Sequence, residues 1–394
     1  MLTLIKNARV FAPQSLGLQH LLIAAGKILQ ISRALPQFPS GVDIAEVDLE
    51  GKRLIPGFID GHAHVTGGGG ESGFASRVPA VGLSRFTRAG ITSVVGLLGT
   101  DDTTRNTTGL LAETRSLREQ GLNAWCYTGG YHLPAVTLTG SVRSDIVHLD
   151  PVIGVGEVAI SDHRSSQPTL DELLRVASET HVAGMITGKA GILHLHLGDG
   201  ERGLDLVRQA LAQSEIPARV FNPTHINRRK ALFEEACEVA TQGCCVDITA
   251  FPVAEDEDAW SATEALSRYW QSGAPAAQIT VSSDGGGCLP HFDRDGNIVH
   301  MDIGDPASLA DTLAELLDNG VSLEQALPAF TSNVARLLRL HHKGTVAAGQ
   351  DADLLVLDER HHIDSVMING IWHRKNHAQL IVGNFESTSE KDSS

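Results

Sequence analysis

Between about residues 57 and 335, short apolar runs alternate with helix-length amphipathic stretches. Strand-like runs fall at 57–65, 91–98, 124–128, 152–160, 192–196, 219–225, 245–249 and 279–283. Helical patterns stand at 80–88, 111–119, 169–180, 203–213, 231–241, 262–271 and 309–319. Parallel strands need long crossover connections, usually helices, so repeated βα units build a parallel sheet. Eight of them predict an α/β fold, a (β/α)8 barrel of the TIM type over 55–335. Such a barrel occupies roughly 250 residues as one unit, so a chain of 394 has room for a smaller second domain.

Both chain ends carry strand patterning instead. Apolar runs at 2–5, 21–23 and 28–31 are separated by Pro13-Gln14-Ser15 and Ala25-Gly26; runs at 352–357 and 366–368 lead into the turn signal Asn369-Gly370. We expect 1–54 and 336–385 to join in one small β-sandwich-like subdomain, and the Ser- and charge-rich 386–394 to be a frayed tail. Segment 18–31 has no basic leader and is interrupted by His20, Lys27 and Gln30, so it reads as strands and not as an export signal. No apolar run reaches the 18 to 20 residues of a membrane span.

With 42% hydrophobic and 20% charged residues the chain has ample material for a core. The 31 Lys and Arg against 47 Asp and Glu give a formal charge of -16, which works against nucleic acid or an anionic membrane as partner. Five cysteines (Cys126, Cys237, Cys244, Cys245, Cys288) form neither a disulfide framework nor a CxxC pair. A reducing, cytoplasmic setting is expected.

The sharpest chemical signal is Asp60-Gly61-His62-Ala63-His64. Side chains on a strand repeat with period two, so His62 and His64 share a face and can reach one ion. Other strand ends add His196, His225 and Asp284. Polar groups inside an apolar barrel need a compensating partner, and divalent metals supply one. His194 shares the face of His196, and one true ligand is expected of that pair. Glu157 lies inside the fourth strand, where a lone carboxylate is costly. Metal bridging is the leading reading, and an ion pair with a buried arginine such as Arg164 is the alternative. A register shift would turn Glu157 outward and leave bridging to another group, such as Lys189.

This constellation resembles the amidohydrolase superfamily, through Pro56-Gly57-Phe58-Ile59-Asp60-Gly61-His62-Ala63-His64 and the closing Asp351-Ala352-Asp353-Leu354. Within it the chain is similar to the isoaspartyl (β-aspartyl) dipeptidases. That similarity rests on GGGGE at 67–71, VVGLLGT at 94–100, Gly130-Tyr131-His132, ISDHRS at 160–165, PTHINR at 223–228 and SSDG at 282–285. The resemblance implies two divalent ions, usually zinc, held by His62, His64, His196, His225, Asp284 and a bridging anion. It also implies contacts to a small dipeptide substrate from Glu71, Thr100, Arg164 and Arg228, an electrophilic role for Tyr131, and a homo-oligomer.

Each role has a chemical rationale. Glu71 follows four glycines, which let backbone approach a ligand closely, and its carboxylate can pair with a free α-amino group. Arg164 and Arg228 can take the two carboxylates of an isoaspartyl dipeptide; ordinary salt bridges are the alternative. Tyr131 can donate to the carbonyl oxygen as charge develops, while hydroxide held between the metals attacks the carbon. Asp284 can bind a metal and carry the proton to the departing amine. Two positions depart from the family pattern: Glu157 stands where a carboxylated lysine is common, and Cys288 where a substrate-contacting serine is usual. Competing activities are N-acyl-D-amino-acid or cyclic-amide hydrolysis; a metal-binding scaffold without catalysis is a third reading.

Overall fold

The structure, a computed structural model, describes residues 2–292 and 297–386, with no side-chain account of 290–292. The eight strand-like runs of the central region are eight strands: β1 (Phe58–Ala63), β2 (Ile91–Gly96), β3 (Asn123–Thr128), β4 (Val152–Ser161), β5 (Ile192–Leu197), β6 (Phe221–Thr224), β7 (Val246–Thr249) and β8 (Ile279–Ser282). The first six form one parallel sheet in chain order, and β7 pairs in parallel with β8. Closure falls at the polar end. A parallel bridge joins Ala63 to Gly285, the His64 amide donates to the Gly285 carbonyl (2.8 Å), and the Asp284 amide donates to that of His62 (3.2 Å). Between β6 and β7 the Ile226 amide donates to the Asp247 carbonyl (3.3 Å).

The period-two pattern sorts side chains to two sides of each strand. On β5, Leu193, Leu195 and Leu197 belong to the large apolar core shared with the surrounding helices, whereas His194 and His196 do not. A smaller cluster, including Ile59, Val95, Tyr127, Ile153 and Ile192, fills space beneath the polar residues together with Val334 and Leu338.

Helices occur at every predicted position, with differences that have local causes. The pattern at 169–180 belongs to a helix that runs Leu170–Thr187. Thr169 and Glu172 start it with a capping box, and Gly188 ends it at φ 72, a left-handed termination that the periodicity does not reveal. Helices Val142–His148, Leu323–Phe330 and Ser332–Leu337 are additional; two are under two turns, and Leu323–Phe330 contains Pro328. An antiparallel hairpin, Cys288–Phe292 with Ile298–Ile303, follows β8.

The chain ends meet in a nine-stranded mixed sheet. Arg53–Pro56 is the seam: it runs parallel to Leu2–Phe11 and antiparallel to Leu354–Leu357. This sheet has its own core, including Ile5, Leu21, Ile28, Leu54, Leu354 and Met367. Asn369-Gly370 makes the hairpin turn its sequence predicts, with φ 49 and 78. Glu386 is anchored, accepting bonds from the Ser84 amide (3.1 Å) and hydroxyl (2.7 Å); the rest of the expected tail, 387–394, lies outside the described residues. Among the described residues no helix is long and apolar enough to cross a membrane, and the five cysteines are free.

Candidate metal centre

His62 on β1, His64 just beyond it, Glu157 on β4, His196 on β5, His225 after β6 and Asp284 after β8 converge and are all buried. His62, His64 and Asp284 offer donor atoms within 4.8 Å of one another, as do His62, Glu157 and His225. The carboxylate of Glu157 divides between two groups. Its Oε1 lies 3.4 Å from His64 Nε2 and 3.7 Å from His62 Nε2; its Oε2 lies 2.9 Å from His196 Nδ1 and 3.3 Å from His225 Nε2. Asp284 Oδ1 joins the first group, 3.3 Å from His62 Nε2 and 3.1 Å from His64 Nε2. His225 and Asp284 reach these positions at φ 61 and 52, a left-handed conformation costing about 1–2 kcal/mol for a non-glycine residue. Strain of this kind persists where the surroundings over-determine it.

The donors fit divalent cations. His62 Nε2 and Asp284 Oδ1, both buried, have no hydrogen-bond partner although they face each other at 3.3 Å. Burial disfavours charge on Glu157 and Asp284, yet the neighbouring histidines hold both well below the usual carboxylate range. Burial likewise opposes the His64 imidazolium, but Asp284 and Glu157 push its pKa up to about 10. The two anions thus require positive charge between them, and bound cations supply it in place of protons. The cluster is a binuclear site for divalent metal with His, Asp and Glu donors.

The residues assigned to substrate surround a cavity at this centre. Glu71, Thr100, Tyr131, Arg228 and Cys288 line it together with His64, Glu157 and Asp284. The Tyr131 hydroxyl lies 2.9 Å from His196 Nδ1, and burial, reinforced by Glu157, raises its pKa well above the usual phenol value, so it remains a neutral donor. Burial pushes the Cys288 thiol up to about 12 and keeps it protonated. Arg164 stands next to the lining, its guanidinium 5.5 Å from the Tyr131 ring centroid. It pairs with Asp162 through Nε (2.9 Å) and Nη2 (2.6 Å), and its Nη1 lies 3.5 Å from Glu71 Oε1. Glu157 is therefore surrounded by histidines and not paired with Arg164.

Several contributors are visible only in three dimensions. Asp162 Oδ2 lies 2.9 Å from His196 Nε2, so a carboxylate backs the ring nitrogen that faces away from Glu157. Its one sequence signal is a place in the 160–165 motif, just past a strand end. His194 is turned from the Glu157 group and contacts His62 and Asn222. Arg105 donates to the carbonyls of Thr66 (3.4 Å), Gly69 (3.3 Å) and Val78 (2.9 Å), clamping the glycine-rich loop. Those glycines serve the loop's own packing as much as the cavity: a Cβ at Gly67 would lie 1.9 Å from the Val78 carbonyl oxygen. Lys189 Nζ caps the carbonyls of Ile146, Leu149 and Val152 at 2.6 to 3.0 Å and is committed there.

The profile of the amidohydrolase family matches residues 53–383. The crystal structure of the β-aspartyl dipeptidase from Fervidobacterium islandicum AW-1 in complex with β-Asp-Leu dipeptide is similar at 41% identity and TM-score 0.93, over 98% of this chain and 99% of that one. A second structure of that dipeptidase gives 40% identity and TM-score 0.90, over 98% and 100%. A deacetylase from Brucella anthropi is 23% identical across 88% of this chain and 82% of its own length. With its binuclear donor cluster on a closed barrel, this chain is a metal-dependent hydrolase that belongs to the amidohydrolase family and closely resembles β-aspartyl dipeptidase.

Proposed function

We propose that the protein hydrolyses the amide bond of β-aspartyl dipeptides, with zinc as its pair of divalent ions. The observation that carries the substrate class is unsatisfied polarity in the cavity: Glu71 Oε2 and Thr100 Oγ1 are buried without hydrogen-bond partners. Such atoms cost free energy until a ligand pairs with them. Glu71 also sits 3.5 Å from Arg164, and opposite charges so placed suit an α-ammonium and an α-carboxylate on one carbon. A β-aspartyl residue presents that head group. Arg228, 3.1 Å from Asp284, is then available for the carboxylate of the leaving residue. The β-Asp-Leu dipeptide bound to the Fervidobacterium relative supports the same class.

Histidine nitrogen and carboxylate oxygen are donors that zinc accepts readily. Divalent ions held by these six donors would supply an activated water and polarise the scissile carbonyl. The remaining steps belong to the chain: the Tyr131 hydroxyl donates to the carbonyl oxygen as negative charge grows on it, and Asp284 takes a proton from the attacking water and returns it to the amine. A panel of β-Asp-Leu, an N-acyl-D-amino acid and a hydantoin tests the reading. We expect the highest kcat/KM for β-Asp-Leu, and preference for either of the others would overturn it.

Arg228 separates substrate recognition from metal binding. Arg228→Ala removes a charged hydrogen bond to substrate, worth about 10- to 100-fold in kcat/KM, expressed mainly in KM. Metal content measured in parallel should match the unsubstituted protein. Loss of metal would show that Arg228 instead supports the cluster through Asp284.

A further inference from the structure

The hydrogen bonds behind His62 have a direction that can be read from one end. Asn222 Nδ2 donates to the Cys245 carbonyl at 2.7 Å, which turns its amide oxygen toward His194 Nδ1 at 2.6 Å. An amide oxygen only accepts, so His194 Nδ1 carries a proton. The other nitrogen of His194, Nε2, lies 2.9 Å from His62 Nδ1. A second proton on His194 would bury a cation whose ring contacts, Asn222, His62 and Tyr127, include no carboxylate. His194 Nε2 is therefore the acceptor, and the shared proton belongs to His62 Nδ1. The nitrogen left to face Asp284 and Glu157 is His62 Nε2, at 3.3 and 3.7 Å.

We infer that His194 and Asn222 are positioning residues that hold the proton of His62 on Nδ1, so that Nε2 is the nitrogen that presents its lone pair to metal. The inference rests on the donor cluster binding divalent ions as described above. With no acceptor behind Nδ1, the preferred neutral tautomer carries its proton on Nε2, directed at two carboxylates and occupying the lone pair a cation needs. The relay also fixes the ring's rotation. Tyr127 stacks on His194 with ring centroids 5.2 Å apart, and Gly156 leaves the room, since a Cβ there would lie 2.7 Å from His194 Cβ. Partners behind a ligating histidine commonly change metal affinity by about 10- to 100-fold when removed.

The test uses two substitutions and zinc alone as the probe. His194→Leu removes the acceptor; His194→Gln restores it, because a glutamine oxygen can accept from His62 while its amide nitrogen donates to Asn222. Competition with a chromogenic chelator should show zinc binding about 10- to 100-fold weaker in the Leu variant and close to the unsubstituted protein in the Gln variant. Histidine-selective 15N NMR of the metal-stripped full chain should place the shared proton on His62 Nδ1. A proton on His194 Nε2, or undiminished zinc affinity in the Leu variant, overturns the inference. So does a Gln variant that folds, by circular dichroism, but binds zinc no better than the Leu variant. Failure of the unsubstituted protein to bind zinc would instead overturn the metal reading on which the inference rests.

Discussion

Asp284→Asn is expected to lower kcat/KM for β-Asp-Leu by about a thousandfold or more, the scale of a lost general acid-base group. The residue is buried, its Oδ1 faces His62 and His64, and its Oδ2 accepts from Arg228. Neighbouring histidines overcome the cost of burial and keep it ionised, so at neutral pH it can take a proton from water. Asparagine preserves the shape but neither accepts that proton nor neutralises cations. Metal content measured beside the rate identifies which loss dominates. Full metal occupancy with nearly unchanged turnover would contradict the role given to Asp284.

Discrimination between linkage isomers is expected to be nearly as large. In β-Asp-Leu the ammonium and α-carboxylate lie on the acyl side, which the proposed binding mode sets against Glu71 and Arg164, 3.5 Å apart. In α-Asp-Leu the scissile carbonyl is itself the α-carbonyl, so the free carboxylate sits one carbon further from the ammonium. Either the head group or the carbonyl is then misplaced. A mispaired buried group costs about 1–3 kcal/mol, and two give roughly 30- to 10⁴-fold in kcat/KM. Equal kcat/KM for the two isomers would remove the substrate assignment while leaving metal-dependent hydrolysis intact.

The parts of this site legible in the sequence are those that local periodicity controls. His62 and His64 share a face because a strand alternates, and eight apolar runs separated by helical patterns imply the closed barrel that gathers strand-end residues. Glu157 stands out in the sequence because a carboxylate within a buried strand needs a partner. What periodicity does not encode is which residues from distant strands touch. Asp162 meets His196 across 34 positions, and Asn222 meets His194 across 28; nothing in either local pattern marks the contact. Arg105 lies in a loop with no regular pattern, yet it clamps carbonyls 27 to 39 positions away. The glycines at 67–70 are legible as allowing close approach of backbone to a ligand, but not as the means by which that loop packs against 76–78.

On the proposed reading, a fixed protein carboxylate, Glu157, would join the two ions, so that no carbamate has to form. The direct measurement strips the protein of metal, restores divalent zinc in carbon-dioxide-depleted buffer, and follows activity and bound metal with and without added bicarbonate. With one oxygen of Glu157 toward each group of histidines, full activity and two ions per chain should return in the absence of bicarbonate. A strict bicarbonate requirement would contradict the account and assign the bridge to another group.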